Sequence, residues 1–339
     1  MKLLQSFALP LGYNAALPYF FLARLHSAGS LERGAECNTH FLRLSIKARL
    51  EGKLLGMDEG FEFVAHTETL NGVELYFEIS GPEDADQTLV YLHGLGYNSY
   101  AFREVMLEHL SAYRVVYLDQ RGCGRSAPLE ADPERFTVDA LVDDLEALRV
   151  HLGLRSFVPV GHAFGAVIAL EYARRYPHQV SGVVAVSPWV HFPELASQLL
   201  GSASRLTERN VDIPEDPEAR AELAFSLRED LLSTLYFPNQ AARLHLEFID
   251  TESALYGSGA AQEAFIFNRL WELEYPLYFP EIRTPVLCIA GEYDVTSYPE
   301  QTDWLQDLLG ADLELMPTGH YPWLEDAPAF ATLLERVLE

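Results

Sequence analysis

Lysine is almost missing from this chain of 339 residues, occurring only at Lys2, Lys47 and Lys53, and 24 basic side chains face 50 aspartates and glutamates. The resulting net charge of −26, with the arginines dispersed rather than gathered into a stripe, argues against a phosphate backbone as partner, so no nucleic acid is expected. The bias toward arginine is compositional, and no function is read from it. Cysteine is equally scarce. Cys37, Cys123 and Cys288 stand far apart, with no C-x-x-C pair and no cysteine–histidine cluster at zinc spacing, so neither a disulfide framework nor a structural metal is expected and a reducing, cytoplasmic setting is. Long apolar runs are lacking too. The run from Leu3 to Leu25 is broken by Pro10, Gly12, Asn14 and Pro18 and follows no strong basic cluster, so neither a signal peptide nor a membrane anchor is expected.

What is present is enough apolar residue, 49%, for one large α/β domain carrying an insertion. Residues 1–59 read as a helical arm, with a basic stretch from Phe41 to Leu55 that would pack on the body or on a second subunit and so allow a homo-oligomer. From Phe61 the pattern changes. Phe61 to Leu70, then Asn71-Gly72, then Val73 to Ile79 predicts a hairpin, because Asn-Gly supplies both positive φ angles of a type I′ turn. Apolar runs at Thr88–Leu92, Arg114–Leu118, Phe157–Val160, Val183–Val186, Val286–Ala290 and Leu313–Met316 predict buried parallel strands. Helical patterns at Val138–Leu152 and Ala163–Tyr176 lie between them, which implies a mostly parallel sheet with helices on both faces. Pro159 conflicts with this assignment, since it removes a ladder donor from a central strand.

The strand rhythm stops over 191–282 and returns at 283, so residues 60–190 and 283–339 are read as the core and 191–282 as a helical cap. Between 191 and 280 there are fifteen acidic residues against six arginines, most of them expected to form a solvated surface.

Three features carry possible chemistry. Val160-Gly161-His162-Ala163-Phe164-Gly165 joins a strand to a helix through a tight turn, and the small residues two places either side of Ala163 let strand and helix approach. His320 follows the last strand in Pro317-Thr318-Gly319-His320, and Asp294 follows the strand 286–290, with Glu292 and Asp303 as nearby substitutes. His93-Gly94-Leu95-Gly96 ends an earlier strand, and Asp119-Gln120-Arg121-Gly122-Cys123-Gly124-Arg125-Ser126 ends another, its charges expected to tie the loop down.

In this order the features resemble the α/β-hydrolase fold superfamily over residues 60–339, and the run 119–126 is similar to the segment found in proline iminopeptidases. The resemblance implies a G-x-S-x-G nucleophile elbow with Ala163 where serine is expected, Asp294 orienting His320 as the base, and Leu95 and Phe164 N–H groups as the oxyanion hole. It implies a serine hydrolase that releases an N-terminal proline from short peptides, needing no metal or organic cofactor. Glu247, on a helical stretch shared with Asp250, is the candidate for holding the substrate's amino group. His93-Gly94-Leu95-Gly96-Tyr97 departs from the iminopeptidase His-Gly-Gly-Pro-Gly and keeps open a carboxylesterase or lactonase acting on a small acyl substrate, or a ligand-binding protein without catalysis. Ala163 itself has three readings: an engineered serine knockout, a natural pseudoenzyme, or a coincidental motif. A methyl group cannot attack a carbonyl, so the chain is expected to be close to inert.

Overall fold

The hairpin signalled by Asn71-Gly72 forms: β1 (Phe63–Leu70) turns into β2 (Val73–Ser80) with φ of 48° at Asn71 and 73° at Gly72. A computed structural model describes residues 62–129, 133–208, 211–227 and 229–338, so the expected arm over 1–59, and any subunit pairing through it, lies outside the described residues.

The remaining strands are β3 (Thr88–Leu92), β4 (Arg114–Asp119), β5 (Val158–His162), β6 (Val183–Val186), β7 (Val286–Gly291) and β8 (Asp312–Met316). They form one sheet in the order β1-β2-β4-β3-β5-β6-β7-β8, antiparallel at β1–β2 and β2–β4 and parallel from β4 to β8. The apolar runs read as strands all became strands; β3, β5, β6 and β7 are buried throughout, as a parallel sheet covered on both faces requires, whereas the edge strand β8, expected to be buried, exposes Asp312 and Leu315. In β3, Val90 and Leu92 enter one core and Leu89 and Tyr91 the other. The first core is shared with α2 (Val138–His151) and α3 (Phe164–Arg175), the second with α1 (Tyr100–Met106) and α11 (Ala327–Leu338). At ~25 cal/mol per Å², each large apolar side chain buried here contributes about 1.5–3 kcal/mol. Pro159 is accommodated in register: it lies opposite Val90 of β3, and pairing with β6 begins one residue later, at Val160.

Between β6 and β7 the chain builds the helical insertion: α4 (Phe192–Thr207), α5 (Pro217–Phe225), α6 (Glu229–Tyr236), α7 (Gln240–Ser253) and α8 (Gly259–Phe267). Local chemistry starts three of them, since Asp216, Asn239 and Ser258 side chains accept backbone N–H bonds at the N-caps of α5, α7 and α8. After β7 come α9 (Glu300–Trp304) and α10 (Pro322–Glu325). Among the described residues no helix is long and apolar enough to cross a membrane.

The loop 119–126 is tied down as its charges suggested, through two separate pairs. Asp119, fully buried, accepts from Ser99 N and Oγ at 2.8 and 2.6 Å and from Arg125 N and Nε at 2.9 and 2.7 Å. Arg121 turns instead to Asp144 of α2, donating from Nε at 2.6 Å and from a terminal nitrogen at 2.5 Å. Because Ser99 precedes α1, Asp119 fastens the end of β4 to the loop that leaves β3. Asp119→Ala takes the buried acceptor from Ser99 N and Oγ and one of two carboxylates from Arg125, which keeps Glu78 at 2.7 Å, so we expect a loss of about 3 kcal/mol in unfolding free energy at pH 7, measured by urea denaturation.

Candidate active site

The turn between β5 and α3 has φ 51° and ψ −113° at Ala163, a conformation costly for any residue with a Cβ. Its neighbours show why it is held. A Cβ on Gly161 would come within 2.3 Å of the Gly165 carbonyl oxygen, and one on Gly165 within 2.2 Å of the Leu92 carbonyl oxygen. Both glycines are therefore required by backbone approaching backbone, and the turn presses against the end of β3.

The acid and base candidates meet as the sequence order implied. His320 Nδ1–H donates to Asp294 Oδ2 at 2.8 Å, and both residues are buried. Asp294 Oδ1 accepts from Thr296 N at 2.9 Å and Thr296 Oγ1 at 2.7 Å, and Thr296 Oγ1 accepts in turn from Trp189 Nε1 at 3.2 Å. Burial alone would raise the Asp294 carboxyl, but the His320 charge and these hydrogen bonds outweigh it and hold the group below its ordinary range. With Nδ1 donating, the lone pair of neutral His320 sits on Nε2, which has no hydrogen-bond partner among the described residues. The ring leans on Trp189 and Tyr236, with centroids 5.0 and 4.9 Å away. The Trp189 backbone N–H bonds the Ala163 carbonyl at 3.2 Å, and His162 Nε2–H donates to the His320 carbonyl at 2.8 Å, which joins the histidine loop to the elbow. Glu292 and Asp303, the substitutes for Asp294, are exposed.

The Leu95 and Phe164 N–H groups, the candidate oxyanion donors, are aimed by the other ends of their own peptides. A trans peptide points its N–H opposite its C=O. The Gly94 carbonyl accepts from His93 Nδ1–H at 2.8 Å and Tyr97 N–H at 3.2 Å, which turns the Leu95 N–H the other way. In the same manner the Ala163 carbonyl accepts from Ala166 N–H at 3.1 Å and Trp189 N–H at 3.2 Å, which fixes the Phe164 N–H. Neither the Leu95 nor the Phe164 N–H has an acceptor among the described residues. Gly94 and Ala163 are neighbours, since a Cβ on Gly94 would lie 3.4 Å from the Ala163 Cβ. The Phe164 donor also opens a 12-residue helix, whose N-terminal partial positive charge favours an anion. His93 Nε2 accepts from Gln120 N at 3.0 Å, so its tautomer is fixed; burial pushes its pKa down. Burial first, and the His320 charge second, push His162 down to about 3.

Glu247 does not join this site. Its side chain is 54% exposed and pairs along α7 with Arg243 at 3.3 Å. Asp250 takes the inner position instead, accepting from Tyr97 Oη at 2.5 Å in the same loop as Leu95. The helix pattern carried the signal: Ala242, Leu246 and Ile249 are the buried stripe of α7, and Asp250 lies four residues after Leu246. Thr296 was also legible as an Asx turn, Asp followed two residues later by Thr. Trp189 and Tyr236 had no such signal, because only packing brings them to His320. Glu325 accepts from Gly319 N–H at 2.7 Å and from the Tyr321 backbone, and so holds the chain on both sides of His320.

A family model described as alpha/beta hydrolase fold matches residues 87–327. A proline iminopeptidase of Lactobacillus helveticus is 28% identical over 289 residues, covering 79% of this chain and 95% of its own. A putative carbamate hydrolase of Yersinia enterocolitica is 30% identical over 252 residues, covering 73% of this chain and 82% of its own. Among solved structures, a proline iminopeptidase-related protein of Thermus thermophilus is similar with a TM-score of 0.74 and 37% identity, over 82% of this chain and 97% of that one.

Burial, with the Asp294 charge adding to it, raises Glu325 from 4.5 to about 7. A raised acid favours the folded state in its protonated form, so its charge costs nothing below pH 4.5, progressively more toward pH 7, and most above it. Wild type should therefore lose stability relative to Glu325→Gln across that window, by about 1 kcal/mol after discounting for solvent reach, in urea unfolding followed at several pH values.

Proposed function

Because this chain belongs to the α/β-hydrolase fold family, we propose that it is a serine-hydrolase framework of the proline iminopeptidase type whose covalent step is disabled at Ala163. The observation that carries the proposal is the His320–Asp294 pair, 2.8 Å apart, joined to a strained strand-turn-helix whose central residue is the expected nucleophile. A serine there would attack the acyl carbon as His320 Nε2 took its proton. Asp294 would hold the tautomer and stabilise the imidazolium, and the Leu95 and Phe164 N–H groups would receive the oxyanion. His320 would then return the proton to the leaving amine, and water would repeat the cycle on the acyl-enzyme. With alanine at 163 the framework binds substrate and the sequence stops before the first bond forms.

The similarity to proline iminopeptidases supports a peptide with a free N-terminal proline as substrate. So does Asp250, a cap carboxylate beside the oxyanion loop that suits a cationic amino end. The loop sequence His93-Gly94-Leu95-Gly96 favours esters as the second class. Cys123 and Cys288 are free thiols, in keeping with a cytoplasmic protein.

Ala163→Ser should raise kcat on proline p-nitroanilide on the order of 10⁶-fold over the chain as it stands, read by release of p-nitroaniline. A preference for short p-nitrophenyl esters would instead assign the esterase class, and a folded variant inactive on both would overturn the proposal. In the Ala163→Ser background, Asp250→Asn should raise KM for the free-amine anilide about tenfold and leave ester KM unchanged, since one charge-assisted hydrogen bond contributes about 1.5–3 kcal/mol.

A further inference from the structure

Loss of the nucleophile leaves a specific set of groups behind. His320 presents an unoccupied Nε2 with Nδ1–H tied to Asp294 at 2.8 Å. The Leu95 and Phe164 N–H groups are oriented before any substrate arrives, each by a carbonyl on its own peptide that accepts two hydrogen bonds. Next to Gly94 stands the Ala163 methyl, buried and chemically silent. A serine at 163 would engage Nε2 through its hydroxyl; alanine leaves the lone pair to the substrate.

Acyl transfer needs a nucleophile, a base and an oxyanion hole. Removal of a proton from the carbon next to a carbonyl needs only the last two. We infer that the chain with alanine at 163 is an enolising catalyst for neutral, apolar ketones, with His320 as the base and the Leu95 and Phe164 N–H groups as the enolate hole. Nε2 takes the proton from Cα, the C–H electron pair becomes the C=C bond of the enolate, and the carbonyl π pair moves to the oxygen between the two N–H donors. Asp294 stabilises the imidazolium that forms. Return of a proton to Cα restores the ketone, with exchange of that hydrogen for solvent, and its return to the oxygen gives the enol, so no co-reactant is consumed. The preference for a neutral substrate follows from the surroundings: the Trp189 and Tyr236 rings lie 5.0 and 4.9 Å from the His320 ring, and the Asp294 and Asp250 carboxylates disfavour an anionic oxo acid. The Phe164 donor at the start of α3 helps the enolate oxygen in the same way as it would an acyl oxyanion.

This inference shares with the peptidase proposal the placement of His320, Leu95 and Phe164, and it requires nothing of the peptide specificity. The test is loss of the α-proton signal of cyclohexanone and of 4-phenylbutan-2-one in D₂O, followed by ¹H NMR with the full chain as it stands. We expect exchange on the order of 10²-fold above the buffer rate, abolished in His320→Ala and in the volume-conserving His320→Gln, each checked for folding by circular dichroism. Asp294→Asn should lower it and shift its pH dependence, because the tautomer is no longer held. Ala163→Ser should slow it, because the hydroxyl occupies Nε2. Exchange no faster than in a folded His320→Gln variant, on both ketones, overturns the inference even if Ala163→Ser becomes a peptidase. Exchange that depends on His320, in a chain whose Ala163→Ser variant hydrolyses neither anilide nor ester, upholds it and overturns the hydrolase proposal instead.

Discussion

The reversed backbone at residue 163 is the constraint on which the site depends. Holding an alanine at φ 51° and ψ −113° costs on the order of 1–3 kcal/mol, and a methyl group makes no bond that repays it locally. The conformation persists because strand β5 and helix α3 are both fixed in the core and approach each other over Gly161 and Gly165. From this turn follow the direction of the Ala163 carbonyl, the aim of the Phe164 N–H and the contact with Gly94. The scaffold stores the strain of an active elbow whether or not a hydroxyl stands on it.

Three histidines lie buried around that turn, and their surroundings divide them. His93 and His162 are pushed down by burial and sit neutral, each donating from one ring nitrogen to a backbone carbonyl. His320 alone faces a carboxylate. The same dry environment that keeps two imidazoles uncharged makes the Asp294 partnership effective for the third, since a charge pair gains strength where water is excluded. The uncharged pair has a mechanical part: His93 anchors the Gly94 carbonyl, and His162 ties the His320 loop to the elbow.

The cap is fastened to these same loops rather than merely lying over them. Ser258 N–H donates to the Gly96 carbonyl at 2.5 Å and Ser258 Oγ to the Gly122 carbonyl at 2.8 Å. The Tyr236 carbonyl accepts from His320 N–H at 2.9 Å, and Asp250 accepts from Tyr97. Any movement of α6 to α8 is thereby coupled to the loop after β3 and to the loop that carries His320.

The chain by itself determined the elements whose cause is local. Apolar runs of four to six residues made buried strands, Asn71-Gly72 made the turn, and Gly161 and Gly165 marked the elbow, because each answers a steric rule acting over a few residues. The order of elbow, acid and histidine along the chain likewise located Asp294 and His320, since parallel strands deliver their loops to the same edge of the sheet. Tertiary structure decided what depends on how elements rotate and dock. Glu247 and Asp250 are three residues apart on one helix, and only the burial of Ala242, Leu246 and Ile249 turned the second inward and left the first in solvent. Trp189 and Tyr236 reach His320 from segments far from it in sequence, through packing that no local pattern encodes.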